Sequence, residues 1–233
     1  MCVNYTPATR KHLQEVFNAP VQPQLQWPAE TYPDYLAPII RVTEDGKRET
    51  VLANFGMIPK AHLPLAAKHF STMNARSETV STLRSYTHAW RKGQLCLVPC
   101  EDFFEPNWET GKHVRWRIGM ADHSPFAIAG LWREWQEEGG TVSHSFTQLT
   151  VNADEHPLMK HFHKPDSEKR SLVIVPREDY DSWLTCRNPE EARSFMRLFP
   201  AEQMGSVAAP KQKKVAQENQ SLLLGHVRDY QTG

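Results

Sequence analysis

Short apolar runs separated by turn residues are the feature that most restricts the fold of this chain. The runs alternate apolar with polar residues or are continuously apolar, as β-strands are. The predicted strands are 37–42, 50–55, 95–99, 115–120, 126–132, 145–151 and 171–175. Because few helical patterns lie between them, most strands must pair with neighbours in an antiparallel manner. We therefore predict an α+β domain with a largely antiparallel β-sheet core and a few flanking helices.

Cap residues and apolar spacing predict the positions of the helices. A Thr-Pro pair, a serine, and an Asn-Pro pair are typical of helix starts, and a glycine is typical of a helix end. The predicted helices are 6–18, 77–92, 180–184 and 188–198. After about residue 205 the sequence becomes polar and rich in lysine. We therefore expect one domain over residues 1–205 and a polar, mobile tail over residues 206–233.

Composition excludes several classes of protein. Lys and Arg total 27 and Asp and Glu total 27, so any nucleic-acid binding requires a local basic groove. The four cysteines lack paired metal-ligand spacing, and we expect neither a metal ion nor a cofactor. No signal peptide or apolar run of about 18 residues occurs, which favours a soluble cytoplasmic protein. The nucleotide-binding, zinc-protease and serine-hydrolase motifs are also absent from the sequence.

The dipeptide Met1-Cys2 is the first candidate for chemistry. Cysteine is small enough for the initiator methionine before it to be removed, which would leave an α-amine and a thiol on one residue. These groups titrate near ~8 and ~8.5, so both are reactive near neutral pH. The amine can form a Schiff base with an aldehyde, and the thiol can then close a five-membered thiazolidine ring. The plain alternative is that a cysteine in second position has no role.

Three further positions carry polar groups suited to a site. Asn74 precedes a predicted helix, where an asparagine is ordinarily a cap. Glu105 lies among aromatic residues, and a carboxylate in such surroundings can act as an acid or base near neutral pH. It could equally be exposed at the end of a strand. His161 and His163 lie in a basic loop and could be ordinary surface histidines.

Several short motifs, taken together and in order, resemble the SRAP family, which is also called the SOS response-associated peptidase or abasic-site processing family. Each motif is weak alone, but the ordered set with cysteine at position two is specific. The motifs are Met1-Cys2, the segment 74–79, the segment 96–99 leading to 103–105, the segment 150–154, and the segments 156–159 and 163–165.

The resemblance implies roles for individual residues. Cys2 corresponds to the crosslinking cysteine, Asn74 to the residue that positions it, and Glu105 to the acidic active-site residue. His163 is the better match for the active-site histidine, and His161 remains the alternative. Arg76 corresponds to an arginine that contacts DNA phosphate, and we expect the DNA-binding groove to include Thr150, Lys164 and Arg170 as well. Asn4 departs from the family, because many members carry an arginine at that position.

The resemblance also implies an activity, namely a covalent thiazolidine crosslink between Cys2 and the ring-opened aldehyde of an abasic site in single-stranded DNA. Such a crosslink shields the lesion. We expect a monomeric crosslinking enzyme, with lyase activity as a second expectation. One alternative is a thiol peptidase or amidohydrolase with an N-terminal cysteine nucleophile. Another is a module that binds single-stranded DNA without a covalent bond.

Overall fold

The computed structural model describes residues 2–63 and 70–211 of the chain, which form an α+β domain. The α-helices are short: α1 (Arg10–Glu15), α2 (Thr87–Arg91), α3 (Tyr180–Thr185) and α4 (Pro189–Ser194). The strands are β1 (Tyr5–Pro7), β2 (Leu36–Val42), β3 (Arg48–Phe55), β4 (Asn74–Arg76), β5 (Leu95–Asn107), β6 (Val114–Met120), β7 (Phe126–Gln136), β8 (Val142–Asn152), β9 (Arg170–Leu172), β10 (Ile174–Val175) and β11 (Met204–Ala208). No helix within these described ranges is long and apolar enough to cross a membrane.

Five of the strands pair in a closed ring. β5 pairs with β2, β2 with β3, β3 with β8, β8 with β7, and β7 pairs back with β5. Ring closure leaves none of these strands as a free edge along its paired length. Within the described part of the chain, the pairings β3–β8 and β4–β8 are parallel and the others are antiparallel. The predicted largely antiparallel α+β fold is confirmed.

The long strand β5 connects this ring to the N-terminus. Its first half, from Leu95 to Cys100, pairs with β7, and its second half, from Asp102 to Asn107, pairs with β6. β1 pairs with its middle, with Tyr5 opposite Phe103. The sequence predicted only residues 95–99 as a strand, because the following segment mixes charged residues and a proline with its aromatic residues.

Aromatic packing joins the N-terminal strand to the interior of the barrel. Tyr5 is fully buried and meets the Phe55 ring edge-on, with centroids 5.4 Å apart. Phe55 in turn stacks on Phe146 at 5.2 Å. Such aromatic pairs contribute about 0.5–1.5 kcal/mol beyond the burial of apolar area. The N-terminus is therefore part of the core.

Three predicted helices are shorter in the structure, and of the region 188–198 only α4 (Pro189–Ser194) is an α-helix. The region 6–18 begins with β1, and α1 starts only after Thr9, whose side chain accepts a hydrogen bond from the His12 amide. In the region 77–92 only α2 is helical. Its predicted start was wrong because Asn74–Arg76 forms β4 beside β8, and turns then lead to α2.

The C-terminal region departs from the predicted division at residues 205 and 206. β11 spans that boundary and pairs with β6, with Met204 opposite Met120 and Ala208 opposite Trp116. The sheet therefore extends beyond the end predicted for the domain. Most of the predicted tail, residues 212–233, lies outside the described residues.

Gly130 of β7 offers a test of the packing inside the barrel. A Cβ atom there would lie 2.9 Å from Cys96 Sγ and 2.9 Å from the Thr147 carbonyl oxygen. We expect Gly130→Ala to lower the free energy of unfolding by about 1–3 kcal/mol, because the packed strands cannot easily move apart. Gly205→Ala is the matched control, because its Cβ would meet its nearest atom at 3.6 Å. Urea unfolding measures both, and equal effects would contradict tight packing at Gly130.

Candidate active site

The N-terminal segment continues along the second half of β5 and brings Cys2 into the interior. The Phe104 amide donates a hydrogen bond to the Asn4 carbonyl at 3.0 Å. The Cys2 thiol donates to the same carbonyl oxygen at 3.3 Å. Only 1% of Cys2 is exposed. Pairing with β5 therefore holds a potential nucleophile in an enclosed position.

Asn74 binds directly to the Cys2 backbone. Its Nδ2 donates a hydrogen bond of 2.7 Å to the Cys2 carbonyl oxygen. The Asn74 backbone is placed by the parallel pairing of β4 with β8, and the Tyr86 hydroxyl donates to the Asn74 carbonyl at 3.1 Å. The alternative that Asn74 is a helix cap is wrong, since the residue lies in a strand and its side chain points to the N-terminus.

Glu105 and His163 form a buried pair. Glu105 Oε2 and His163 Nε2 are 3.2 Å apart, and the two side chains are 4% and 8% exposed. The separation is within the range of an ion pair when the imidazole is protonated. By contrast, the half-exposed His161 pairs with Glu109 at the surface, 2.6 Å away. The geometry thus joins His163, rather than His161, to Glu105.

The backbone at His163 adopts a conformation that is unusual for a residue other than glycine. Its φ angle is +66°, in the left-handed region, which costs of order 1 kcal/mol or more. The His163 amide donates to the Pro106 carbonyl at 2.8 Å, and a β-bridge joins Phe162 to Asn107. Contacts with the end of β5 therefore hold the imidazole beside Glu105.

The surroundings of Cys2 keep its sulfur protonated. Burial away from water raises the pKa of the Cys2 thiol to about 12, and the nearby negative charge of Glu105 acts in the same direction. Hydrogen bonding of the Cys2 sulfur with the Asn4 backbone lowers this pKa, but it offsets only part of the increase. Cys2 is therefore a thiol, not a thiolate, near neutral pH.

A pocket of about 690 Å³ opens beside the Glu105–His163 pair. Asn4, Phe104 and Arg115 form part of its wall, and Lys211 lies at the C-terminal end of the described chain. The Arg115 guanidinium donates to Asn4 Oδ1 at 2.7 Å and to Glu30 at 3.0 Å. It also lies 3.4 Å from the centre of the Phe104 ring. The pocket gives a polar substrate group access to the pair.

Sequence reasoning did not find Arg115 as part of this site. It lies in a correctly predicted strand, and nothing in the local pattern distinguishes it from other strand arginines. Asn4 was noted only as a departure from the family, although its side chain and carbonyl contact Arg115 and Cys2. A second cavity, of about 660 Å³, is lined by residues such as Phe126, Tyr180 and Phe199 and contains none of the predicted site residues.

The four predicted DNA-binding residues divide into two groups. Arg76 and Lys164 are at the surface, with 47% of the Arg76 side chain exposed. Thr150 and Arg170 are only 1% and 2% exposed. Arg170 donates to both oxygens of Glu78 at 2.9 Å and to the Thr150 carbonyl at 2.7 Å. In the free protein Thr150 and Arg170 therefore belong to an internal polar network, and their contact with DNA stays a prediction.

The geometry defines a class of protein, namely an α+β domain that encloses an N-terminal cysteine beside a carboxylate–imidazole pair. In residues 2–63 and 70–211, no group of three or more His, Cys, Asp or Glu side chains could hold a metal ion. The family model described as SOS response associated peptidase (SRAP) matches residues 1–217. The chain therefore belongs to the SRAP family.

Named relatives and a solved structure agree with this assignment. The abasic site processing protein YoqW of Bacillus subtilis is 28% identical over 189 residues, which cover 75% of this chain and 78% of that protein. The abasic site processing protein YobE of the same species is 26% identical over 186 residues, covering 75% of this chain and 80% of YobE. A crystal structure of a protein from Bordetella bronchiseptica is 34% identical with a TM-score of 0.81, and covers 90% of this chain and 100% of that one.

The protonated state of Cys2 leads to a test by alkylation. With a pKa of about 12, only about one Cys2 in ten thousand is a thiolate at pH 8. We expect iodoacetamide to modify Cys2 at least roughly a hundredfold more slowly in the folded protein than in urea, because the thiolate is the reactive form. Peptide mass spectrometry measures the rate, and the urea-unfolded chain is the control. Equal rates in both states would contradict the buried thiol.

Proposed function

We propose that this protein processes abasic sites in single-stranded DNA by forming a covalent thiazolidine crosslink through Cys2. The observation that carries the proposal is the Asn74 hydrogen bond to the Cys2 carbonyl, 2.7 Å long, beside the Glu105–His163 pair. The names of YoqW and YobE, both abasic site processing proteins, support it. An abasic site supplies the aldehyde that an amine and a thiol on one residue can capture together.

The neutral thiol favours an order of steps in which the amine reacts first. Removal of Met1 gives Cys2 a free α-amine, which attacks the aldehyde carbon and forms a carbinolamine. Loss of water then gives an imine. The thiol adds to the imine carbon, its proton passes to the nitrogen, and the thiazolidine ring closes. No oxidant or reductant is needed, and ring closure is fast because both groups belong to one residue.

Glu105 and His163 are suited to moving protons in these steps. Opening of the sugar ring requires a proton on the ring oxygen, and loss of water requires one on the carbinolamine oxygen. The pair lies at the wall of the 690 Å³ pocket, where both side chains can meet a substrate oxygen. Asn74 holds the Cys2 carbonyl and thereby restricts the direction from which the amine approaches.

Backbone phosphates supply most of the DNA affinity in this proposal. The chain has no net charge, so attraction comes from exposed groups such as Arg76 and Lys164 near the site. No base needs to be read, because the lesion lacks one. We therefore expect weak binding, without sequence preference, that decreases with added salt.

A thiol peptidase remains the second candidate because it would use the same Cys2. Cysteine peptidases attack with a thiolate, which a base or a positive neighbour stabilises. Here burial and the negative charge of Glu105 raise the pKa of Cys2 instead. This environment favours the amine-first reaction over hydrolysis of a peptide by a thiolate. A lyase activity is compatible with the same imine, since an imine can lead to strand cleavage by β-elimination.

Cys2→Ser separates the amine from the thiol. Serine keeps the α-amine and nearly the same volume, so we expect folding and DNA binding to survive. The amine still forms an imine, but the hydroxyl is a much poorer nucleophile for ring closure. We therefore expect loss of the heat-stable crosslink to DNA with one abasic site, with an adduct that borohydride still traps. Denaturing gels with and without borohydride measure both products.

A variant that retains a residue before Cys2 is the complementary control. It keeps the thiol but blocks the amine, so neither the stable crosslink nor the trapped adduct is expected. A peptidase acting through the thiol alone predicts peptide hydrolysis that Cys2→Ser abolishes, with no DNA adduct from any variant. Full crosslinking by Cys2→Ser or by the blocked protein would contradict the proposed mechanism.

Glu105→Gln tests the role of the buried carboxylate. The amide keeps the shape of the side chain but cannot carry the proton, so we expect crosslinking to slow by about 10²- to 10⁴-fold. Binding of the same DNA at equilibrium is expected to change little. Glu101→Gln is the matched control, because Glu101 lies on the same strand and pairs with His12 away from Cys2. Single-turnover rates at saturating DNA measure the effect, and equal rates for both variants would contradict the assignment.

A further inference from the structure

Glu168 lies where two arginines and an amide converge. Its Oε2 accepts a hydrogen bond of 2.6 Å from Arg76. Its Oε1 accepts hydrogen bonds of 2.7 Å from Arg170 and 3.2 Å from Asn152 Nδ2. Arg170 therefore contacts one carboxylate oxygen and Arg76 the other. This arrangement of donors is one that also binds a phosphate group.

The two arginines depend on Glu168 to different degrees. Arg170 is buried and retains its two bonds to Glu78 and its bond to the Thr150 carbonyl when Glu168 is ignored. Arg76 is half-exposed. Its guanidinium donates a hydrogen bond to the Glu168 carboxylate. Glu168 thus neutralises the surface cation that the proposed function assigns to the DNA backbone.

We infer that Glu168 holds the place of a DNA phosphate on Arg76 in the free protein and leaves when single-stranded DNA binds. The inference rests on the proposed function, because it concerns the regulation of the same site. An exposed ion pair contributes little net free energy, so a phosphate can displace the carboxylate. The Arg76 and Glu168 side chains are 47% and 32% exposed, which leaves both accessible to DNA.

The position of Glu168 in the chain allows this displacement. It lies on the exposed segment that follows His163 and leads to β9, with a turn in which the Ser167 amide donates to the Lys164 carbonyl. Movement of the carboxylate away from Arg76 does not require any strand to separate. Arg76 can bind a phosphate only after its hydrogen bond to Glu168 is broken. The loss of this bond weakens the binding of single-stranded DNA.

A double-mutant cycle tests the inference with a fluorescent single strand that has no abasic site. We expect Glu168→Gln to increase the affinity by about two- to five-fold at low salt. In an Arg76→Ala background the same substitution should change the affinity little, because its effect acts through Arg76. Arg76→Ala should make the slope of log affinity against log salt shallower by about 0.7, as for one lost phosphate contact, whereas Glu168→Gln should leave the slope nearly unchanged because Arg76 meets a phosphate in both complexes.

Two further variants separate release of Arg76 from a general change of charge. Glu78→Gln removes one negative charge from the other carboxylate partner of Arg170. Any increase in DNA affinity from this substitution should therefore be the same in the wild-type and Arg76→Ala backgrounds. Glu168→Asp keeps the charge but withdraws the carboxylate from Arg76, so it should also increase the affinity. Thermal unfolding of each variant identifies any loss of folding, and Glu168→Asp carries the test if Glu168→Gln does not fold.

The outcomes distinguish this inference from the proposed function. The inference would be overturned if Glu168→Gln increased the DNA affinity equally in the wild-type and Arg76→Ala backgrounds. It would also be overturned if neither Glu168 variant increased the DNA affinity. If the wild type still crosslinks abasic DNA in that case, only the inference fails. A wild type that neither binds single-stranded DNA nor crosslinks an abasic site would remove the proposed function itself.

Discussion

The pairing of β1 with β5 is the interaction on which the candidate site depends. It sets Tyr5 opposite Phe103 in the core and directs the residues before it toward Glu105. Without this pairing the hydrogen bond from Asn74 would have no fixed Cys2 carbonyl to meet. A chain terminus normally frays, and here aromatic packing and backbone hydrogen bonds oppose fraying. The fold thereby supplies a fixed position for the residue that, in the proposed function, reacts through its own backbone amine.

β5 also connects the remaining parts of the site. Glu105 lies on it, and the carbonyl of Pro106 on the same strand accepts the amide of His163. The left-handed conformation of His163 is thus held by the strand that carries its partner. Both members of the pair, which lie 3.2 Å apart, are thus positioned by one element.

The sequence allowed prediction of the fold class and of the residues at the centre of the site, but not of their surroundings. Strands were predictable from short apolar runs, whereas β4 has only three residues and depends on β8 for its pairing. The resemblance to a family led to Asn74, Glu105 and His163, whose roles stay predictions. The pairing of Arg170 with Glu78 was not predictable, because the two residues are 92 positions apart and no local pattern reveals an ion pair across that distance.

The distribution of charge explains how a protein without net charge can act on DNA. Arg170 and Arg115 are engaged by carboxylates and carbonyls of the protein, so these cations add little to the external field. In the proposed function, electrostatic attraction alone therefore gives only brief contacts with intact DNA. In the proposed reaction retention comes instead from the covalent bond, which forms only where an aldehyde is present. The proposed function thus derives both weak attraction to intact strands and strong retention at a lesion from the same arrangement of residues.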